Sequence, residues 1–299
     1  KESSVPFVHA KQQSKGTVTC EENSSKIILT GDNFRYVFNK LRGQFDSMVV
    51  NQCTILDKPM EFNIWRAPID NDNNIRGEWM KAGYDRALVR VYESSVSQIE
   101  NTTVVHCRLA INAIQIQHIV DVEVDWFVAT DGTVTMELNG KRNTDLPFLP
   151  RFGLRLFLPK HYQNVQYLGY GPNESYIDKH RSSWFGRFQA RVDEMYEDNI
   201  NPQENSSHYN CEELTLSSRE GQKILVTAKA PFSFQAGYYT QEELSEKAHN
   251  YELQKADSTI LCLDYKMSGV GSNACGPALA EKYQLCEEKI EYHVTFKFM

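Results

Sequence analysis

The chain has 299 residues, 41% of them hydrophobic and 11% aromatic, with a formal net charge of −7. Such a length supports a large buried core, and mild acidity without a basic stripe argues against nucleic acid or an anionic membrane as a partner. The longest apolar run is only a few residues, so no bilayer span is expected. The seven cysteines are widely spaced, odd in number and form no Cys-x-x-Cys pair, which speaks against a zinc knuckle or a disulfide framework.

Residues 1–16 carry no periodicity and read as a tail or a linker from a preceding domain. From residue 17 onward the signal is period two, the mark of strands. Phe34, Tyr36 and Phe38 alternate with Arg35 and Asn39 nearby. Arg76 to Ala82 suits a turn or two of helix. Val120, Val122, Val124, Trp126 and Val128 alternate with Asp121, Glu123 and Asp125. Asp131-Gly132 then signals a hairpin into a strand beginning at Thr133. Leu154, Leu156 and Leu158 follow the same rule. Thr240-Gln241-Glu242-Glu243 is a capping box, with Leu244 and Ala248 predicted to share one face over two or three turns. Last, Ile290, Tyr292, Val294, Phe296 and Phe298 face one way, a terminal strand regular enough to complete a sheet. One large antiparallel β domain over residues 17–299 is the expectation.

Three polar regions interrupt this pattern. The stretch from Trp65 to Asn74 gathers an indole, a guanidinium, two carboxylates and several amides. Pro68 removes a backbone donor and biases Ala67 away from the helical region, so a strand end runs into a loop. That loop offers hydrogen bonds of both signs beside an aromatic face, as a sugar requires; the competing reading is a polar turn whose Asp and Asn side chains cap their own backbone. Asp70 and Asp72, exposed on one short loop, suit solvation better than a catalytic dyad. The second region, Tyr167 to Phe188, places Glu174, Asp178, His180 and Arg181 beside three tyrosines. An internal ion-pair network pinning a long loop is preferred there over a sugar-facing cluster. The third, Gly269 to Pro277, is a small-residue loop that permits close approach by another group. Cys275 within it reads as structural or incidental. No nucleophile elbow, phosphate loop or His-Glu-x-x-His occurs, and the scattered histidines argue against a metal cluster.

These segments resemble a known family. Trp65-Arg66-Ala67-Pro68-Ile69-Asp70-Asn71-Asp72 resembles the Arg-Ala-Pro-x-Asp-Asn-Asp motif of the C-terminal small-chain domain of large β-galactosidases, glycoside hydrolase family 2. Leu168 to Tyr176, continuing to Arg181, is similar to the family's Leu-Gly-x-Gly-Pro-x-Glu-x-Tyr-x-Asp-Arg segment. Pro202-Gln203-Glu204-Asn205 resembles its Pro-x-Glu-Asn segment, and Gly269 to Pro277 its late glycine-rich loop. The motifs stand in the family's order.

The resemblance implies an all-β fold, a large antiparallel supersandwich similar to galactose mutarotases, with one or two short helices. It implies a non-catalytic domain of a retaining β-galactosidase, bordering the active site and stabilising the assembly. The acid/base and nucleophile glutamates would lie on a (β/α)8 barrel that this chain does not contain. Trp65, Arg66, Asp70, Asn71, Asp72 and Asn73 become the expected substrate-binding edge, with Arg66 and Asp72 fixing the loop. The implied partners are a β-galactoside, the catalytic barrel and further copies of the whole chain. No cofactor is expected here, the Mg and Na ions of the whole enzyme being bound mainly outside this domain. Two features depart from the family: the loop from Asn73 to Arg76 is shorter, and Cys275 stands where some members carry a sugar-stacking tryptophan. Two other readings remain at this point. One is an aldose 1-epimerase-like enzyme using His180 with Glu174 or Asp178; the other is a carbohydrate-binding module stacking sugar on Trp65, Tyr170 or Tyr176.

Overall fold

A computed structural model describes residues 16–272 and 274–299. The expected tail therefore lies, apart from Gly16, outside the described residues. A five-stranded antiparallel sheet comes first: β1 (Thr19–Glu22), β2 (Lys26–Thr30), β3 (Phe34–Asn39), β4 (Gln44–Val50) and β5 (Cys53–Thr54). After β6 (Lys58–Asn63), helix α1 (Arg76–Lys81) precedes four long strands. These are β7 (Leu88–Ile99), β8 (Thr102–Ala113), β9 (Ile116–Ala129) and β10 (Val134–Arg142). The chain continues through β11 (Arg151–Pro159), β12 (Asn164–Gly171), β13 (Trp184–Arg191), β14 (Ser207–Ser217) and β15 (Lys223–Gly237). Helix α2 (Gln241–Glu246), β16 (Ser258–Met267) and β17 (Lys289–Phe298) complete it.

The second sheet has twelve strands and branches. Its main path runs β13, β12, β14, β15, β17, β10, β9, β8, β7, while β16, β11 and β6 diverge from β15. The branch point has a local cause. Ile224–Ala228 of β15 pair with β17, whereas Ser233–Gly237 pair with β16. Pro231 stands between these two stretches and offers no amide to a ladder, so the strand changes neighbours where it cannot donate.

The alternation seen in sequence sets the packing. Val120, Val122, Val124, Trp126 and Val128 of β9 are buried against the small sheet, while Asp121 and Glu123 face outward. Trp126 meets Phe45 edge-on at 5.2 Å between ring centres. Tyr36 donates to the carbonyl of Gly132 at 2.6 Å, locking β3 onto the β9–β10 turn. Gly132 there has φ +83°, a conformation that only glycine adopts without strain. The regular terminal strand β17 lies inside the sheet, paired with both β10 and β15.

Helix α2 differs from expectation. Thr240 caps it, its hydroxyl accepting from the Glu243 amide at 3.1 Å. It stops at Glu246, and Ala248 is exposed rather than on an apolar face. The amides of Ala248 and His249 both donate to Glu252 Oε2 at 3.0 Å, a charged acceptor that competes with helix carbonyls. Thr240→Ala is expected to cost about 1 kcal/mol of stability, measured by urea denaturation; no change would show the cap to be idle.

Candidate functional site

Strand β6 ends at Asn63, whose side-chain oxygen accepts the Trp65 amide at 3.1 Å and turns the chain. Arg66 follows, fully buried. Its Nε and Nη2 donate to Asp72 Oδ2 and Oδ1 at 3.3 and 2.8 Å. Its Nη1 donates to the Ser268 carbonyl, and its Nη2 also to that of Gly269 at 3.0 Å. Its guanidinium carbon lies 5.3 Å from the ring centre of Trp79, which α1 delivers to the interior. Trp79 in turn donates Nε1–H to the Phe148 carbonyl at 2.9 Å and meets Trp65 edge-on. A buried guanidinium is tolerable only when its donors are spent, and here carboxylate, carbonyls and an aromatic face spend them.

The other motifs converge on this frame. Asn71 donates to the Val270 carbonyl at 2.7 Å. Asp178 Oδ1 and Oδ2 accept the amides of Val270 and Gly271 at 2.9 and 2.8 Å. A Cβ at Gly269 would stand 2.4 Å from the Asp178 carboxylate, so the small-residue loop is approached by a side chain of this same chain. Glu174 accepts from Lys179, from the Ser206 amide at 2.9 Å and from the Tyr176 hydroxyl at 3.2 Å. The region pins a long loop, as the preferred reading holds, but through bonds to backbone groups rather than an internal ion-pair network: Glu174 pairs with the exposed Lys179, and Arg181 is exposed. Gly169 and Gly171 lie within β12 rather than in a turn, and glycine is required there because Cys211 and the Tyr167 hydroxyl occupy the space a Cβ would need.

Beneath lies a second buried charge cluster. The Glu204 amide donates to the Ala67 carbonyl at 3.1 Å, tying the third motif to the first. Arg151 engages Asp264 through two bonds at 3.0 and 2.6 Å, Glu204 Oε2 at 3.3 Å and Gln235 Oε1 at 3.2 Å. Burial opposes the guanidinium's charge, but Asp264 and Glu204 overturn it and hold Arg151 protonated. Two carboxylates share one guanidinium, and Glu204 Oε1 meets no donor among the described residues. Burial pushes the Glu204 carboxyl up to about 7 despite Arg151 and Arg66.

The expected edge residues thus divide. Trp65, Arg66 and Asp72 are 6%, 0% and 5% exposed and form the internal frame, where they cannot touch a ligand at the surface. Asn71 is half-buried, and Asp70 and Asn73 are exposed. Trp65 and Tyr176 are likewise closed off as sugar-stacking faces, whereas Tyr170 stands half-buried among His180, Phe185 and Tyr209. His180 Nδ1 meets the Tyr176 carbonyl oxygen at 2.9 Å, away from the bonds Glu174 and Asp178 make. Arg151, Asp264, Trp79 and Ser268 were not singled out in sequence; single charges inside apolar strands, as at Arg151 and Asp264, were the available signal. Among the described residues no three of His, Cys, Asp and Glu converge as metal ligands.

Fold and site together define a β-supersandwich domain whose charged motifs are consumed in bracing one loop-bearing face. The chain belongs to the β-galactosidase small-chain family, whose model, "Beta galactosidase small chain", matches residues 30–298. It is 42% identical to a β-galactosidase of Actinobacillus pleuropneumoniae over 94% of this chain and 28% of that protein. With a β-galactosidase of Staphylococcus xylosus it shares 34% identity over 96% of this chain and 29% of that protein. The chain thus spans less than a third of the curated relatives it matches. In fold it is similar to a solved galactose 1-epimerase from Lactobacillus acidophilus NCFM, with a TM-score of 0.52 and 10% identity, covering 95% of this chain and 98% of that one. That likeness concerns the fold alone.

Proposed function

We propose that this chain is the non-catalytic small-chain domain of a retaining β-galactosidase of glycoside hydrolase family 2, which hydrolyses terminal β-galactosides. The convergence of the sequence motifs on one braced face carries this reading, since bracing alone is needed where another domain supplies the chemistry. Retaining hydrolysis requires two carboxyl groups about 5–5.5 Å apart, one free to protonate a leaving group and one to attack. Asp72 is committed to Arg66, so Asp70 and Asp72 are no such pair. Asp70, Asn71 and Asn73 then supply polar contacts at the sugar edge, while Trp65, Arg66 and Asp72 hold that edge in place. The catalytic carboxyls belong to a (β/α)8 barrel against which the face packs, in an enzyme that assembles from several copies. Any Mg or Na ion it needs is bound mainly by that remainder.

The chain alone is expected not to cleave a chromogenic β-galactoside, while the longer polypeptide carrying it does. Stoichiometric turnover by these 299 residues would overturn the proposal. The epimerase reading is tested by polarimetry of freshly dissolved galactose, where no acceleration is expected.

A further inference from the structure

The segment from Ser268 to Gly271 has no regular structure, yet its peptide groups are almost all accounted for. The Ser268 amide donates to the Pro150 carbonyl at 2.9 Å and the Gly269 amide to that of Tyr283 at 2.8 Å. The carbonyls of Ser268 and Gly269 accept from Arg66, and that of Val270 from Asn71. The amides of Val270 and Gly271 go to Asp178. A backbone held at each peptide behaves as a fixed element although it is neither strand nor helix. Asp178 is its last anchor. Beyond it Ala274, Cys275, Gly276 and Pro277 are exposed, on the loop that Asn71 ties to the exposed Asp70 and Asn73.

We propose that Asp178 is a positioning residue for the galactoside edge: by gripping two consecutive amides it holds the Val270 peptide to which Asn71, between the exposed Asp70 and Asn73, is bonded. This rests on the function proposed above. No neutral side chain substitutes for it. A carboxylate gives both amides a charged acceptor, whereas asparagine keeps the shape but turns its NH2 group toward one of the two donors. Glutamate does not rescue, because the Asp178 oxygen already fills the space over Gly269.

Two measurements on Asp178→Asn test this. In the 299-residue chain, hydrogen exchange at the amides of Val270 and Gly271 should accelerate about tenfold or more, while amides of β9 and β17 keep their protection. In the longer polypeptide, KM for a β-galactoside should rise about tenfold with kcat within about twofold, since a wall that binds ground and transition states alike affects KM. A merely structural defect would reduce the active fraction, lowering apparent kcat and leaving KM unchanged. Unchanged exchange overturns the grip; faster exchange with unchanged KM overturns the positioning role. A longer wild-type polypeptide without galactosidase activity refutes instead the function on which the role rests, and the exchange result still reports on the grip.

Discussion

Arg151→Met is expected to lower the unfolding free energy by about 3–5 kcal/mol at neutral pH, the usual cost of stranding buried charge. Arg151 is fully buried, and it alone separates the carboxylates of Asp264 and Glu204. Methionine fills similar volume, so little of the loss comes from a cavity. It comes from two buried carboxyls that lose their bonded cation, leaving only Arg66 to act on Glu204 without a hydrogen bond. Both would take up protons more readily, as burial already pushes Glu204 and Asp264 upward with Arg151 in place. The deficit should therefore shrink as pH falls from 7 toward 4, where protonation removes the stranded charge. Urea denaturation of the 299-residue chain across that range reads both effects. A loss below about 1 kcal/mol at pH 7, or one independent of pH, would show that the cluster is not held by this guanidinium.

The same cluster shows where sequence reading reached its limit. Strands with one wet face announce themselves: β9 and β17 alternate because one side packs on the core and the other meets water. Strands covered on both faces do not. Ser258 to Asp264 of β16 are buried without interruption, so the period vanishes and Asp264 passes as one charge in an apolar run. Its partner Arg151 is 113 residues away, and no local spacing encodes that meeting. The branching of the twelve-stranded sheet was hidden for a related reason, since β15 changes partners within one continuous strand. The loop motifs were legible as motifs but not as roles. Composition leaves Trp65 to Asn74 open between a sugar-suited loop and a self-capped polar turn; burial shows that its indole, its guanidinium and one carboxylate face inward. A residue type fixes what a side chain can do, and only packing says which way it points.

His208 gives the second large effect, with the opposite pH dependence. It is buried between Tyr167 and Phe234, with ring centres at 4.7 and 5.1 Å, and its Nδ1 meets the Tyr170 carbonyl oxygen at 3.2 Å. Burial pushes its pKa down to about 4, more than the Tyr170 bond and the nearby Glu174 raise it. The unfolded chain therefore binds more protons here between about pH 6.5 and 4, and stability falls as pH falls through that window. The full contribution is about 3 kcal/mol, from roughly 1.4 kcal/mol per unit of pKa. Glu204 acts in reverse: its raised pKa means that stability present below about pH 4.5 is lost as pH rises toward about 7. The wild-type profile is thus flattened by two opposing slopes, and single substitutions should unmask each. His208→Phe keeps an aromatic ring between Tyr167 and Phe234 while removing the titration, so its stability relative to wild type should climb as pH drops from 6.5 to 4. Glu204→Gln should gain on wild type as pH rises from 4.5 to 7. Urea midpoints at half-unit intervals separate the two. If the His208→Phe difference stays flat from pH 6.5 to 4, the ring is not held buried and neutral in the folded chain.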